Sequence, residues 1–369
     1  MHIGIDARIA HYARGGIRNY VLRLLERIPP LDPGNEYYVL YSRKARHPPV
    51  LGANVTSIPC WTPSHHRIER WALGVEIARL RLDLLHTVDF IPPAFGYGQS
   101  VITVHDLNFL YYPQFQTSES RRYYNDQIAW AVGRAAYILA DSHATKLDLA
   151  ELLHTPADKI TVVHLAADAA FRPIPQAQAA QVARRYDLSP GYLLTVGTIE
   201  PRKNLPGLLQ AYARLRATGT TEASLVVVGG KGWLYDEVFE RVESLGLAQH
   251  VRFFHGVPDE DLPGLYNAAS VLTTPSFYEG FGLPALEAMA CGTPVVVADR
   301  ASLPEVVGDA GLLVDSEDVV DIAHALTRVL TEQALRAQMR ARGLQQAARF
   351  SWERAARETL AVYRQVLGR

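Results

Sequence analysis

Phe277-Tyr278-Glu279-Gly280-Phe281-Gly282-Leu283-Pro284-Ala285-Leu286-Glu287 directly follows the apolar run Val271–Thr273 and opens a segment of helical character. Pro284 suits the first position of a helix, where a missing N–H removes no hydrogen bond. Gly280 and Gly282 let the backbone approach a ligand closely. The unpaired amides of such a helix start, at Gly282 and Leu283, form an anion site fit for a diphosphate. Glu279 then lies in the loop, and Glu287 about one turn inside the helix. One carboxylate is placed for sugar hydroxyls and the other for a ribose diol. A capped helix with acidic residues near its dipole accounts for either glutamate alone. It accounts poorly for two glycines, an aromatic pair and a proline in one loop.

Strand, loop and helix in that order make half of a βαβ unit, and the same rhythm extends in both directions from this stretch. Beyond residue 180 the apolar runs are Tyr192–Val196, Leu225–Val228, Val251–Phe254, Val271–Thr273, Val295–Val297 and Gly311–Val314. Helical patterns such as Pro206–Ala217 and Leu286–Ala290 lie between them. Nearer the N-terminus the runs are Ile3–Ile5, Tyr37–Tyr41, Leu82–His86, Val101–Val104, Tyr137–Ala140 and Ile160–Val163. Tyr20–Arg27, Arg121–Gly133 and Ala144–Leu153 carry the intervening helical patterns. Alternation at this pace predicts parallel sheets covered on both faces. The Pro-bearing, Ala/Gln-rich stretch Phe171–Ala180 reads as a linker. The expected architecture is α/β: a doubly wound, Rossmann-like N-terminal unit over 1–172, a second such unit over 173–351, and a helix over 352–369 packing back on the first. Ligands of such sheets sit beyond the carboxyl ends of the strands, so chemistry is expected in loops that follow strands.

Three further loops meet that expectation. Val196-Gly197-Thr198-Ile199-Glu200-Pro201-Arg202-Lys203-Asn204 ends the first run of the second unit, and its adjacent cations can offset a diphosphate's charge. Arg14-Gly15-Gly16-Ile17 follows the first run of the chain, a glycine pair that permits close approach to phosphate or acceptor. Thr103-Val104-His105-Asp106-Leu107 ends another run; Asp106 is a candidate to orient the His105 imidazole, or else caps a turn. Gly229-Gly230-Lys231-Gly232-Trp233 and His255-Gly256-Val257 are weaker candidates of the same placement. No G-x-G-x-x-G fingerprint is present, which argues against a dehydrogenase. His65-His66 and His11 lack a completed ligand set, so no metal is expected.

The Glu279/Glu287 pair resembles the E-x7-E pattern of the retaining glycosyltransferase family 4, and the other loops fall in that family's order along nearly the whole chain. The resemblance implies the GT-B fold, two Rossmann-like domains facing across a cleft. It also implies that Glu279, with Gly280 and Phe281 beside it, meets the donor sugar, and that Glu287 meets the nucleotide ribose. By the same resemblance Gly15, Gly16, Arg202 and Lys203 hold phosphates, His105 binds the donor sugar, and Gly256 and Val257 read the base through their backbone. His105, Glu279 and Lys203 are thereby the expected catalytic residues. Many members carry an arginine directly after the strand-end glycine; Thr198 stands there instead, which shifts the phosphate load toward Lys203. The His105-Asp106-Leu107 and Glu200-Pro201-Arg202-Lys203-Asn204 segments are similar to bacterial mannosyltransferases. The implied activity is a retaining, metal-independent transfer of a hexose, mannose from GDP-mannose, to a glycan or lipid-linked acceptor. A UDP-glucose-type donor, or a nucleotide-sugar 2-epimerase of the same fold, is the alternative. Closure of one domain on the other is expected to complete the site, because the phosphate groups and His105 belong to different units.

Composition bounds the rest. The 369 residues suffice for two cores, and 48% hydrophobic with 20% charged residues describes a globular chain. A formal net charge of −1 gives no overall attraction to nucleic acid. Basic residues gather early, at Arg8, Arg18, Arg23, Arg27, Arg43, Lys44, Arg46, Arg67, Arg70, Arg79 and Arg81 among others, either as solvated surface or as a face toward an anionic acceptor or lipid. Two cysteines, Cys60 and Cys291, imply no disulfide framework. With no signal peptide or spanning run in view, the expected location is cytoplasmic, peripheral at the inner membrane face at most.

Overall fold

A computed structural model of the chain describes residues 1–12, 15–45, 52–66, 68–115 and 118–368, with the side chains of 118–123 and 126 outside that description. The chain divides into two compact units, Met1–Leu165 with Ser351–Arg369, and Ala166–Phe350.

Strands of the first unit are β1 (His2–Asp6), β2 (Glu36–Ser42), β3 (Val55–Cys60), β4 (Leu82–Thr87), β5 (Tyr97–Val104), β6 (Tyr137–Ala140) and β7 (Ile160–Val162). They form one parallel sheet in the order β3-β2-β1-β4-β5-β6-β7. Because β1 lies between β2 and β4, the chain winds one way and then the other from the middle. The loops after β1 and β4 therefore part company, leaving a crevice at that switch point. Two helices of this unit matter below: α1 (Gly16–Leu31) and α2 (Glu69–Ile77). Leu73 and Ile77 of α2 bury against Leu40, Cys60, Leu82 and Leu85.

β3 and α2 have no counterpart among the runs read from sequence. β3 is an edge strand whose Pro59 pairs with Tyr41, and an edge is where a sheet tolerates proline. Its alternating, half-exposed residues form no continuous apolar run.

The second unit carries β8 (Leu193–Val196), β9 (Leu225–Val228), β10 (Val251–Phe254), β11 (Val271–Thr274), β12 (Val295–Ala298) and β13 (Leu312–Val314). Its sheet is parallel as well, in the order β10-β9-β8-β11-β12-β13, so its switch point lies between β8 and β11. Leu193, Leu208, Tyr212, Val296 and Leu326 are fully buried in its core.

Two boundaries differ from expectation. Residues 166–172 belong to the second unit, where the Phe171 ring meets Tyr266 edge-on at 5.7 Å and the Ile174 amide donates to Asn267. The stretch read as a linker to residue 180 becomes a helix at Gln176–Arg184, because Ala and Gln favour helix and Pro175 precedes its first turn. The terminal helix Trp352–Val366 lies against α1, and Tyr363 Oη bonds His86 Nδ1 at 2.6 Å. Among the described residues no helix is long and apolar enough to cross a membrane.

Candidate functional site

In the second unit the two loops that leave the switch point, after β8 and after β11, are the two that carry the strongest motifs. A pocket lies between them, lined by Gly197, Thr198, Lys203, Thr274 and Ser276 among others. Gly197 has φ 144°, and a β-carbon there would lie 3.2 Å from Lys203 Cε, so the lysine stem crosses directly over the glycine. The Thr274 hydroxyl is buried in this lining and has no hydrogen-bond partner among the described residues.

Glu279 is the electrostatic centre of the loop pair. Its carboxylate accepts from Lys203 Nζ at 2.6 Å, Arg202 Nη1 at 2.8 Å and Ser276 Oγ at 2.8 Å. Burial alone would raise its pKa, but Lys203 and then Arg202 outweigh that and hold it at about 2. Ser302 Oγ donates to the Glu279 carbonyl, and the Phe277 amide donates to the Arg202 carbonyl. Backbone and side chain of the loop are thus held by other protein groups, the condition for preorganised charge.

The two cations play different parts. Arg202 also donates to the Tyr278 carbonyl and pairs with Glu200 at 2.7 Å, so its guanidinium clamps the loop rather than facing a phosphate. Lys203 Nζ has one acceptor among the described residues, Glu279, and an ammonium carries three donors. Two N–H groups remain for an anion.

Asn204 holds this loop to the sheet. Its left-handed backbone (φ 52°) ends the turn, its Oδ1 caps the helix Leu205–Ala217, and its Nδ2 donates to the carbonyls of Pro275 and Ser316. Gly229-Gly230-Lys231-Gly232 has a structural role here. A β-carbon on Gly229 would lie 1.9 Å from the Gly197 carbonyl oxygen, and the amides of Ile199 and Gly232 stitch the two loops together.

The helix Leu283–Cys291 begins after Gly282, whose φ of 97° makes it the N-cap; Pro284 is thus the second helical residue, not the first. Neither the Gly282 nor the Leu283 amide meets an acceptor among the described residues, as an anion site requires. Phe281 departs from its expected place at the sugar: its ring is buried edge-on against Phe350 at 5.8 Å. Glu287 accepts from Tyr266 Oη at 2.8 Å. Burial raises its carboxyl to about 7, the Tyr266 hydrogen bond offsetting part, with Asp259 and Asp168 adding to the rise. Asp259 belongs to the loop after β10, which also carries Gly256 and Val257, so that loop lies within electrostatic reach of Glu287.

In the first unit His105 follows β5 and is gripped on both sides. Nδ1 lies 2.7 Å from Asp141 Oδ2, and Nε2 lies 2.9 Å from the Val88 carbonyl. Both nitrogens face acceptors, so the ring carries both protons. Burial alone would lower its pKa, yet Asp141 and then Asp89 lift it to about 9. The orienting acid is therefore Asp141, not Asp106, which instead accepts from Asn108 in a local turn. A sugar contact through the imidazole requires Nε2 to leave Val88. Gly15, at φ 72°, is the exposed N-cap of α1, and Gly16 is its first residue; Arg14 lies outside the described residues.

A second pocket occupies the β1/β4 switch point, lined by Asp6, His65, Glu69, Thr87 and Asp89 among others. Arg8 is wholly buried beneath it, bonded to Asp6 and to Glu69 at 2.6 Å each. His65 bonds Asp89, and the buried Thr87 hydroxyl has no partner among the described residues. Sequence reading did not single out this cluster, nor Asp141 or Tyr266, because the bonds Arg8–Glu69, His65–Asp89, His105–Asp141 and Tyr266–Glu287 each join residues distant in the chain. The one legible hint was the strand-end position of Asp6, Thr87 and Asp141.

Comparison with known proteins bears on both units. The family model described as Glycosyltransferase Family 4 matches residues 14–171, and that described as Glycosyl transferases group 1 matches residues 181–346. The O-antigen chain mannosyltransferase B of Escherichia coli is 38% identical over 301 residues, 81% of this chain and 78% of that protein. The serotype-specific mannosyltransferase WbdA of Escherichia coli is 31% identical over 77% of this chain, which spans only 37% of that protein. Sucrose-phosphate synthase from Thermosynechococcus elongatus superposes with a TM-score of 0.80 at 22% identity, covering 100% of this chain and 99% of that one.

Proposed function

The chain belongs to glycosyltransferase family 4, with the GT-B fold and hexosyltransferase activity, and from that premise we propose that it transfers mannose from GDP-mannose with retention. The observation that carries the reading is the β8/β11 pocket: a lysine with two N–H groups to donate, on the loop bonded to the one that leads into a helix start whose first amides meet no acceptor among the described residues. Positive potential fixed there is aimed at a departing diphosphate, and it acts without a metal ion. The anomeric C–O bond to phosphate breaks while a bond to the acceptor oxygen forms on the same face. The acceptor's proton passes to the leaving phosphate oxygen. Glu279, its charge offset by two cations, stays ionised and uses its remaining acceptor capacity for the sugar hydroxyls rather than attacking carbon. Glu287 takes the ribose diol.

Mannose and the guanine base rest on similarity, to relatives named mannosyltransferases. The acceptor by the same support is a growing polysaccharide or lipid-linked glycan. Thermal-shift screening against GDP, UDP, ADP and their sugar conjugates tests the donor: GDP and GDP-mannose should give the largest shifts. A preference for UDP overturns the mannose assignment. Donor turnover that neither needs an acceptor nor yields a disaccharide linkage overturns the transferase reading.

The Asp6/His65/Asp89 pocket is assigned to acceptor hydroxyls, on the strength of its carboxylate lining and a Thr87 hydroxyl without a partner among the described residues. Asp89→Asn is expected to raise the acceptor KM by roughly tenfold, the weight of one charged hydrogen bond. The donor Kd, measured by calorimetry, should stay as in the wild type; an unchanged acceptor KM removes Asp89 from the site.

A further inference from the structure

Charge in the β1/β4 pocket is unbalanced. Among the described residues, Asp6 at the end of β1, Glu69 at the start of α2 and Asp89 after β4 face Arg8 and His65. Three carboxylates meet at most two cations, so the surplus is negative whether or not the His65 ring holds a second proton. The neighbouring His105 does not reverse this, because Asp141 balances it. Nor can Arg8 serve an incoming anion. It is wholly buried, with Nε and Nη2 on Asp6, Nη2 also on Glu69, and Nη1 on the Thr62 carbonyl.

The same lining calls for a ligand. The Thr87 hydroxyl is 4% exposed and has no partner among the described residues, so it has lost water without gaining a hydrogen bond there. Asp89 accepts from His65 and from the Phe90 amide, which uses two of the four lone-pair sites a carboxylate offers. Ile9 and Ile91, both buried, add apolar wall. A pyranose ring matches such a lining, with hydroxyls round its edge and C–H groups across its faces.

We infer that the acceptor end held in this pocket is an uncharged polyhydroxyl ring, and that the surplus carboxylate charge turns away phosphorylated and carboxylated acceptors. The inference rests on the assignment of the pocket to the acceptor and adds the charge class. A sugar hydroxyl donates to a carboxylate, whereas a phosphate monoester or a uronate brings more acceptors and a like charge. Two unit charges about 7 Å apart, at an effective dielectric constant of about 20, repel by an amount worth roughly tenfold or more in affinity. Rejection of this kind is specificity by an unfavourable contact, and it acts beside the favourable hydrogen bonds.

The test is an NMR titration of the full chain with methyl α-mannoside, methyl α-glucoside and methyl α-galactoside, with their phosphate monoesters and with the matching uronides. At least one neutral glycoside is expected to bind roughly tenfold or more tightly than its charged counterparts. Ser64→Lys, which adds a cation to the lining and removes no buried group, should narrow that ratio by roughly tenfold. Asp89→Asn should narrow it too while weakening the neutral glycoside. Near-ultraviolet circular dichroism like that of the wild type shows that each variant folds. Charged glycosides that bind as tightly as neutral ones, a ratio that neither variant moves, or no binding of any neutral glycoside overturns the inference. Asp89→Asn separates the two levels. Unchanged neutral binding in that variant means that the acceptor assignment has failed, and the inference with it. Weakened neutral binding, together with phosphate monoesters that the wild type holds equally well, means that the pocket takes the acceptor and the charge class is wrong.

Discussion

Lys203→Ala is expected to lower kcat for sugar transfer by ~10²–10³-fold, the cost found when one preorganised donor to a developing oxyanion is removed. The size follows from what Lys203 does that its neighbours do not. Arg202 is engaged by Glu279, Glu200 and the Tyr278 carbonyl, so it cannot replace the lost ammonium without dismantling the loop. The helix-start amides remain and supply residual stabilisation. Negative charge on the leaving diphosphate grows as the anomeric bond breaks, so the loss should fall mainly on kcat, with a smaller effect on donor Kd. Lys203→Arg should not restore the rate: the lysine stem lies over Gly197, so close that a β-carbon there would sit 3.2 Å from its Cε, and a planar guanidinium does not fit that path. Single-turnover kinetics alongside calorimetric donor binding check both claims. Unchanged turnover in Lys203→Ala removes the phosphate assignment outright.

How much of this was legible beforehand depends on what each element buries. Parallel strands covered on both faces are uninterrupted apolar runs, and Leu225–Val228 and Val295–Ala298 announce themselves for that reason. The edge strand Val55–Cys60 does not, since an edge is only half covered and admits Pro59. Helix α2 fails differently. Its pattern lacks a polar face, so no amphipathic period marks it: Ile68, Trp71 and Val75 stand exposed while Leu73 and Ile77 are buried.

The site divides along a similar line. Loops after β8 and β11 were readable because glycine, proline and paired charges gather within a few residues of a strand end. Contacts between loops were not. That Glu279 would pair with both Lys203 and Arg202, or that Asp141 rather than the adjacent Asp106 would hold His105, depends on which strands are neighbours. Strand order is set by the crossovers, with β8 beside β11 and β5 beside β6, and residue types along the chain do not state it. Phe281 shows the reverse error: an aromatic in a binding motif invites a ligand role, while its ring is buried against Phe350.

Glu287 gives the second large effect, one read by pH. Its carboxyl, raised by burial to about 7, must be ionised to accept two hydroxyls of a ribose. Affinity for the nucleoside diphosphate is therefore expected to be about tenfold weaker at pH 6 than at pH 8, with roughly one proton released on binding at the lower pH. The nucleotide's terminal phosphate titrates in this range too, so the decisive comparison is with Glu287→Gln. That variant cannot ionise: it should bind more weakly at pH 8, by about 1.5–3 kcal/mol for a charged hydrogen bond, and lose the protein's share of the pH slope. Stability moves in the opposite sense. Between the ordinary value of 4.5 and about 7, the folded chain holds a proton that the unfolded chain has released. This group's contribution is complete below 4.5 and is lost as pH rises through 7, on the order of 3 kcal/mol. Glu287→Gln should then unfold at higher urea than wild type at pH 8, and at similar urea near pH 4.5. Calorimetry in buffers of different ionisation enthalpy and urea titrations at the two pH values read the two halves independently. A Glu287→Gln protein that keeps the wild-type slope in both would mean that Glu287 neither titrates near neutrality nor holds the ribose.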